Sequence, residues 1–163
     1  MNFINFADQK QYRPDIMFTN KDDQIILLVE IKAKKLTTSS KENAISQLNK
    51  YLQNIRLDIF FAMLVDLEKI NIFAVTDDKN IQNTILSLKT NDILSNYDPE
   101  FSEKIIFDFH LETLVKSWLR DLSYHWHSDT PPAYNELAKI GLLPLLEGGH
   151  IYIEGNLDAD NLY

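Results

Sequence analysis

The chain has no cysteine among its 163 residues. This removes a disulfide framework and any thiolate metal site, and nothing implies a secretory compartment. Glycine and proline are scarce, at four and five residues, which excludes collagen-like and linker-rich designs. Long apolar runs are also missing. The longest, residues 25–29 and 59–65, fall far short of the ~20 residues that span a bilayer. The first residues lack the basic start and apolar stretch of a signal peptide. A cytoplasmic chain with no membrane partner is the expectation. Basic charge is in deficit as well: 16 Lys+Arg face 24 Asp+Glu, for a net charge of -8. That argues against indiscriminate nucleic-acid binding, whose affinity comes from neutralising phosphates.

What is present is ordinary globular composition, 45% hydrophobic and 25% charged, at a length that suits a single domain over residues 1–163. The charge is unevenly spread. Residues 1–60 hold nine Lys+Arg against seven Asp+Glu, and residues 61–163 hold seven against seventeen. Lys32, Lys34, Lys35 and Lys41 crowd the one basic segment. They suit an approaching phosphate backbone and equally a solvated strand end and loop.

Residues 13–19 and 25–34 read as two strands around a polar turn, and the second is apolar on both alternations, as an interior strand is. Ser39-Ser40-Lys41-Glu42 has the pattern of a capping box, and the apolar spacing after it predicts a helix over residues 40–54. Residues 59–65 and 70–76 read as strands joined by a hairpin. Residues 77–94 read as a helix on the spacing of Ile81, Ile85 and Leu88. Further along, the pattern predicts a short strand at 105–109, an amphipathic helix at 111–124 and a break at 128–132. A helix near 133–140 and a last strand at 150–154 follow. Residues 2–6 read as a short strand.

The chemistry lies in the first hairpin. In an antiparallel pair, facing residues have numbers of constant sum, and a turn centred on Asp22 and Asp23 sets that sum at 45. Asp15 then faces Glu30 with its Cβ about 5 Å away. Lys32 shares the face of Glu30, and Arg13 pairs across from it. Two carboxylates so close need a positive charge between them. With neither His nor Cys beside them, their oxygens suit Mg²⁺, which binds through one or two carboxylates, waters and substrate phosphate. The plainer reading makes Asp15 and Glu30 strand ends with Lys32 as a surface partner. Glu30 weighs against it, because a charge inside an apolar strand must be paired or liganded.

At these positions the sequence resembles the PD-(D/E)XK nuclease superfamily: Pro14-Asp15 on one strand, then Glu30-Ile31-Lys32 on the next. Gln47-Leu48-Asn49-Lys50-Tyr51 on the following helix is similar to the Gln-x-x-x-Tyr motif of its RecB-type branch. The resemblance covers residues 13–76. It implies an α/β restriction-endonuclease-like core, a mixed sheet of four to five strands flanked by helices, with additional C-terminal helices over residues 98–163. It further implies that Asp15, Glu30 and the Ile31 backbone carbonyl bind Mg²⁺, for which Mn²⁺ can substitute. Lys32 would orient water and steady phosphate charge, Gln47 and Tyr51 would position bound water, substrate or Lys32, and Arg13, Lys34 and Lys35 would contact DNA. The implied activity is metal-dependent phosphodiester hydrolysis. The superfamily helix that precedes the first motif strand, and often adds an acidic ligand, has no counterpart in the fourteen residues before Asp15. A catalytically silent module on the same fold, or a protein-interaction domain, is the alternative. Either a homodimer or a protein partner is compatible with the sequence.

Two other features read as structural. His125-Trp126-His127 diverges around a helix end and suits a capping or surface role. Glu147-Gly148-Gly149-His150 lacks the lysine of a phosphate loop and reads as a turn.

Overall fold

A computed structural model describes residues 12–153, without the side chain of Gln82. The strand expected at residues 2–6, the end of the one expected at 150–154, and the region before Asp15 where a further acidic ligand was sought lie partly or wholly outside the described residues.

Six strands form one sheet in the order β5-β4-β3-β2-β1-β6, two or one more than the four to five expected. They are β1 (Ile16–Thr19), β2 (Ile25–Ile31), β3 (Phe61–Val65), β4 (Lys69–Val75), β5 (Ile81–Lys89) and β6 (His150–Ile151). β2 and β3 run parallel, and the other neighbours are antiparallel. A parallel pair needs a crossover, and α1 (Thr38–Asn54) supplies it. The architecture is mixed α/β, as expected.

α1 lays Ala44, Leu48 and Leu52 over Leu28, Ala62, Leu64 and Phe73. The opposite face, with Leu27, Val29, Ile31, Met63 and Val65, is covered by Leu111, Val115, Trp118 and Leu122 of α3 (Asp108–Tyr124). β2 is therefore buried on both faces, which explains its unbroken apolar sequence. The short helices α2 (Thr90–Leu94), α4 (Tyr134–Lys139) and α5 (Leu143–Leu146) pack around the α3 side. Among the described residues no helix is long and apolar enough to cross a membrane.

The sequence-based expectations fail at four places, each with a local cause. Thr37, not Ser39, caps α1: its hydroxyl accepts the Ser40 amide hydrogen at 3.1 Å, so the helix starts at Thr38. Residues 77–94 are not one helix. The Thr76 carbonyl and hydroxyl accept from the amides of Lys79 and Asn80, Lys79 takes a positive φ, and the chain turns back into β5. Register shifts around Phe73 break the strict alternation, so Ile81 faces the α1 cluster while Leu86 and Leu88 face the other. That flip mimics helical spacing. Residues 105–109 find no strand to pair with; Ile106 alone is buried, and α3 begins at Asp108. Finally, β1 starts at Ile16, so Arg13 is not in the ladder opposite Lys32.

Candidate active site

The hairpin register has the expected sum of 45 from Ile16↔Val29 to Phe18↔Leu27, then shifts at Thr19↔Ile25. The turn is closed by Asn20, whose side chain accepts from the amides of Asp22 and Gln24, with Asp23 in the left-handed region. The register carries Asp15, the exposed residue just before β1, to the end of β2. There its Oδ2 accepts the Ile31 amide hydrogen at 2.7 Å. Pro14 has no amide hydrogen with which to continue the ladder, and the Asp15 side chain takes over that pairing.

Glu30 lies on the α1 face of β2 and is only 2% exposed. Its Oε2 sits 3.2 Å from Lys32 Nζ, while Oε1 is buried without a hydrogen bond. Burial first, and then the negative charge of Asp15, push the Glu30 carboxyl up to about 7 against the opposing pull of Lys32. Two oxygen donors converge here, one of them a buried acceptor with nothing to accept from. Among the described residues no cluster of three His, Asp or Glu groups occurs that could hold a metal ion. The donor set fits a hard cation that needs one or two carboxylates and completes its shell with water. Ile31, between Glu30 and Lys32, is buried in the α3-side core, with its carbonyl at the strand end.

The segment after β2 is tied down from three sides. The Lys32 amide donates to Val65 O, and Leu67 N donates to Lys34 O. Asp66 accepts from Leu36 N with one oxygen, and from Glu68 N and Lys69 N with the other. Asp108, at the start of α3, accepts from Ala33 N at 2.9 Å. Asp66 and Asp108 gave no sequence signal beyond an acidic residue at a turn and another inside a stretch that reads as a short strand.

Half-buried Lys32 lines a cleft of about 160 Å³ together with Lys34, Leu36, Ser40, Asn43, Ala44 and Gln47. Gln47 is exposed on α1 and faces the same cleft. Tyr51 does not join it. Its hydroxyl meets Met17 Sδ at 3.6 Å, and it lines a second cavity of about 250 Å³ with Tyr12, Arg13 and Met17. Lys35 leaves the cleft to pair with Glu68 at 3.0 Å. Tyr12, which sequence reasoning passed over, packs edge-on to Tyr51 at 6.1 Å. Burial pushes its hydroxyl far above the usual tyrosine range, and the charges of Glu30 and Asp15 add to the effect.

The histidines of the α3 end are structural. His125 closes the helix in the left-handed region, Trp126 Nε1 donates to Ser117 O, and His127 Nε2 meets Asn96 O. Trp118 is fully buried and donates to Pro132 O.

Comparison with the curated proteins and with the solved structures finds no match. A family model does match residues 3–88, a span that holds Asp15, Glu30, Lys32, Gln47 and Tyr51 and reaches into β5, and the chain belongs to that family: Type I restriction enzyme R protein N terminus (HSDR_N).

Proposed function

We propose that the chain is a Mg²⁺-dependent nuclease that hydrolyses phosphodiester bonds of DNA, with the PD-(D/E)XK chemistry of the RecB-type branch. One observation carries the reading: Glu30 is buried on an interior strand with one oxygen paired to Lys32 and the other unpartnered. A buried, half-satisfied carboxylate is costly unless something binds it. Membership in a restriction-enzyme family supports DNA as the substrate.

Asp15 and Glu30 would hold the cation, with the Ile31 carbonyl as a further donor. When bound, Mg²⁺ polarises a phosphoryl oxygen and lowers the pKa of water. Lys32, which lines the cleft, would neutralise the charge that builds on the phosphate as the water oxygen bonds to phosphorus. The opposite phosphorus–oxygen ester bond breaks, and the departing oxygen takes a proton. Lys34 binds the flanking phosphate backbone, and Gln47 hydrogen-bonds substrate or water from α1. The ion pair of Glu30 with Lys32 keeps the lysine near the site in the absence of metal.

The test is incubation of the purified protein with linear, circular and branched DNA in Mg²⁺, Mn²⁺ or EDTA. Cleavage that requires metal and disappears in both Asp15→Ala and Glu30→Ala is the expected result. Metal-dependent cleavage retained in both variants removes the assignment. No cleavage of any substrate, together with no metal-induced rise in melting temperature, replaces it with a silent module on the same fold.

A further inference from the structure

Two buried side-chain polar atoms of the described structure lack a hydrogen-bond partner, Glu30 Oε1 and the Tyr12 hydroxyl, and both belong to the α1 side of the first hairpin: Tyr12 packs on Tyr51 of α1, which meets Met17, the register partner of Leu28 on the face of Glu30. Glu30 acts on the Tyr12 hydroxyl, while neither orphaned atom has a formed hydrogen-bond partner. A buried donor and a buried acceptor left unsatisfied each cost stability. Natural structures rarely keep such a pair without a reason. Tyr12 is also held in place. Its ring stands edge-on to Tyr51 at 79°, Tyr51 is anchored on Met17, and Tyr12 lies two residues ahead of Pro14, which is buried. The phenol is therefore held where Glu30 and Asp15 act on it, without being a charge itself.

We infer that Tyr12 is a positioning residue of the metal site, whose hydroxyl donates to the Glu30 carboxylate when a divalent cation occupies it. This rests on the reading of Asp15 and Glu30 as metal ligands. An ionised carboxylate has about four acceptor positions. Lys32 takes one on Oε2, a cation takes another, and the Tyr12 hydroxyl takes a third, fixing the carboxylate plane. Groups that orient a ligand in this way typically change metal affinity 10–100-fold when removed.

The experiment is calorimetric titration of Mn²⁺ into the full chain at about pH 8, with wild type, Tyr12→Phe and Tyr12→Leu compared. Metal-free melting temperatures are recorded alongside. Tyr12→Phe keeps the ring against Tyr51 and removes only the hydroxyl. The expected result is Mn²⁺ affinity weakened about 10–100-fold, with a metal-free melting temperature equal to or above that of wild type. Wild-type affinity in Tyr12→Phe overturns the inference and leaves the metal site standing. So does a pattern in which Tyr12→Leu weakens binding and Tyr12→Phe does not, since packing alone then accounts for the residue. Absence of Mn²⁺ binding by wild type overturns the metal-site reading itself, and this inference with it.

Discussion

The Asp15 side chain accepts the Ile31 amide hydrogen at 2.7 Å, so one carboxylate of the candidate site is fastened to the strand that carries the other. Neither can move away from its neighbour without breaking the end of the β1–β2 ladder. The repulsion between them is built into the fold, and it is most acute at Glu30, which water does not reach.

That repulsion has a measurable sign. The Glu30 carboxyl is pushed from 4.5 up to about 7, chiefly by burial. Between those values the folded chain keeps a proton that the unfolded chain has released, so metal-free stability falls as pH rises through the window. Glu30→Gln removes the buried charge. In EDTA at about pH 8 the variant should exceed wild type by roughly 3 kcal/mol, and below about pH 4 the two should converge. Calorimetric melting at both pH values checks it. A variant that melts below wild type at the higher pH contradicts the account, as does one that still binds Mn²⁺ as tightly as wild type.

On the proposed mechanism, Lys32 separates binding from chemistry. It opposes the rise of the Glu30 pKa and supplies no metal ligand. Lys32→Ala should bind Mn²⁺ with close to wild-type affinity at about pH 8, where metal competes effectively with the proton on Glu30. Cleavage should fall by ~100-fold or more, the usual cost of losing a group that stabilises developing charge. Parallel titration and single-turnover cleavage measure the two. Loss of metal binding with cleavage per bound metal unchanged would make Lys32 a mere counter-ion.

The first hairpin was legible in the sequence because each cue was local: a polar turn of fixed length, an apolar interior strand, and a constant register sum that held from Ile16 to Phe18. The same logic placed Lys32 beside Glu30. Legibility ended where distant chain segments decide. β5 is the exception, misread although its partner β4 is its neighbour in the chain, because the register shifts around Phe73 move its apolar residues from one face to the other. Tyr51 shares a helix with Gln47, yet the side chain packs toward Met17 and Tyr12 rather than the lysine cleft. Tyr12 itself matches no motif. Its place in the site follows from burial, which a single sequence does not display.

A second buried carboxylate tests stability without touching the site. Asp121, on α3, is fully buried. Burial alone raises its pKa, but the Tyr97 hydroxyl at 2.6 Å and the amides of His127 and Ser128 at 3.0 Å outweigh it and hold the carboxyl below its ordinary value. The stability it contributes is present above the unfolded carboxylate pKa, about 3.9, and is lost as pH falls below that. Asp121→Ala should lower stability at neutral pH by roughly 3 kcal/mol, with the deficit shrinking in acid. Mn²⁺ affinity of the folded variant should match wild type. Urea melts at several pH values, with a metal titration in the absence of urea, provide the check.

Gly149 is where the last strand meets the first. A Cβ there would collide with the backbone carbonyl oxygen of Thr19 and crowd the Phe18 ring. The collision partner is backbone inside a ladder, so it cannot swing aside. Three bonds hold this corner: Ser123 Oγ donates to Gly149 O at 2.6 Å, Thr19 Oγ1 to His150 O at 3.1 Å, and Tyr152 N to Met17 O at 2.8 Å. Gly149→Ala should therefore push β6 off β1, at a cost of about 1–3 kcal/mol, and open the outer edge of β1 to pairing with other chains. Asp15 lies at the other end of β1 from Thr19, so metal binding should persist while β6 is released. Hydrogen exchange should show the Tyr152 amide losing protection, with the Ile31 amide still protected by Asp15. Equal loss at both amides would mean that β6 holds the whole hairpin, and the candidate site with it, in place.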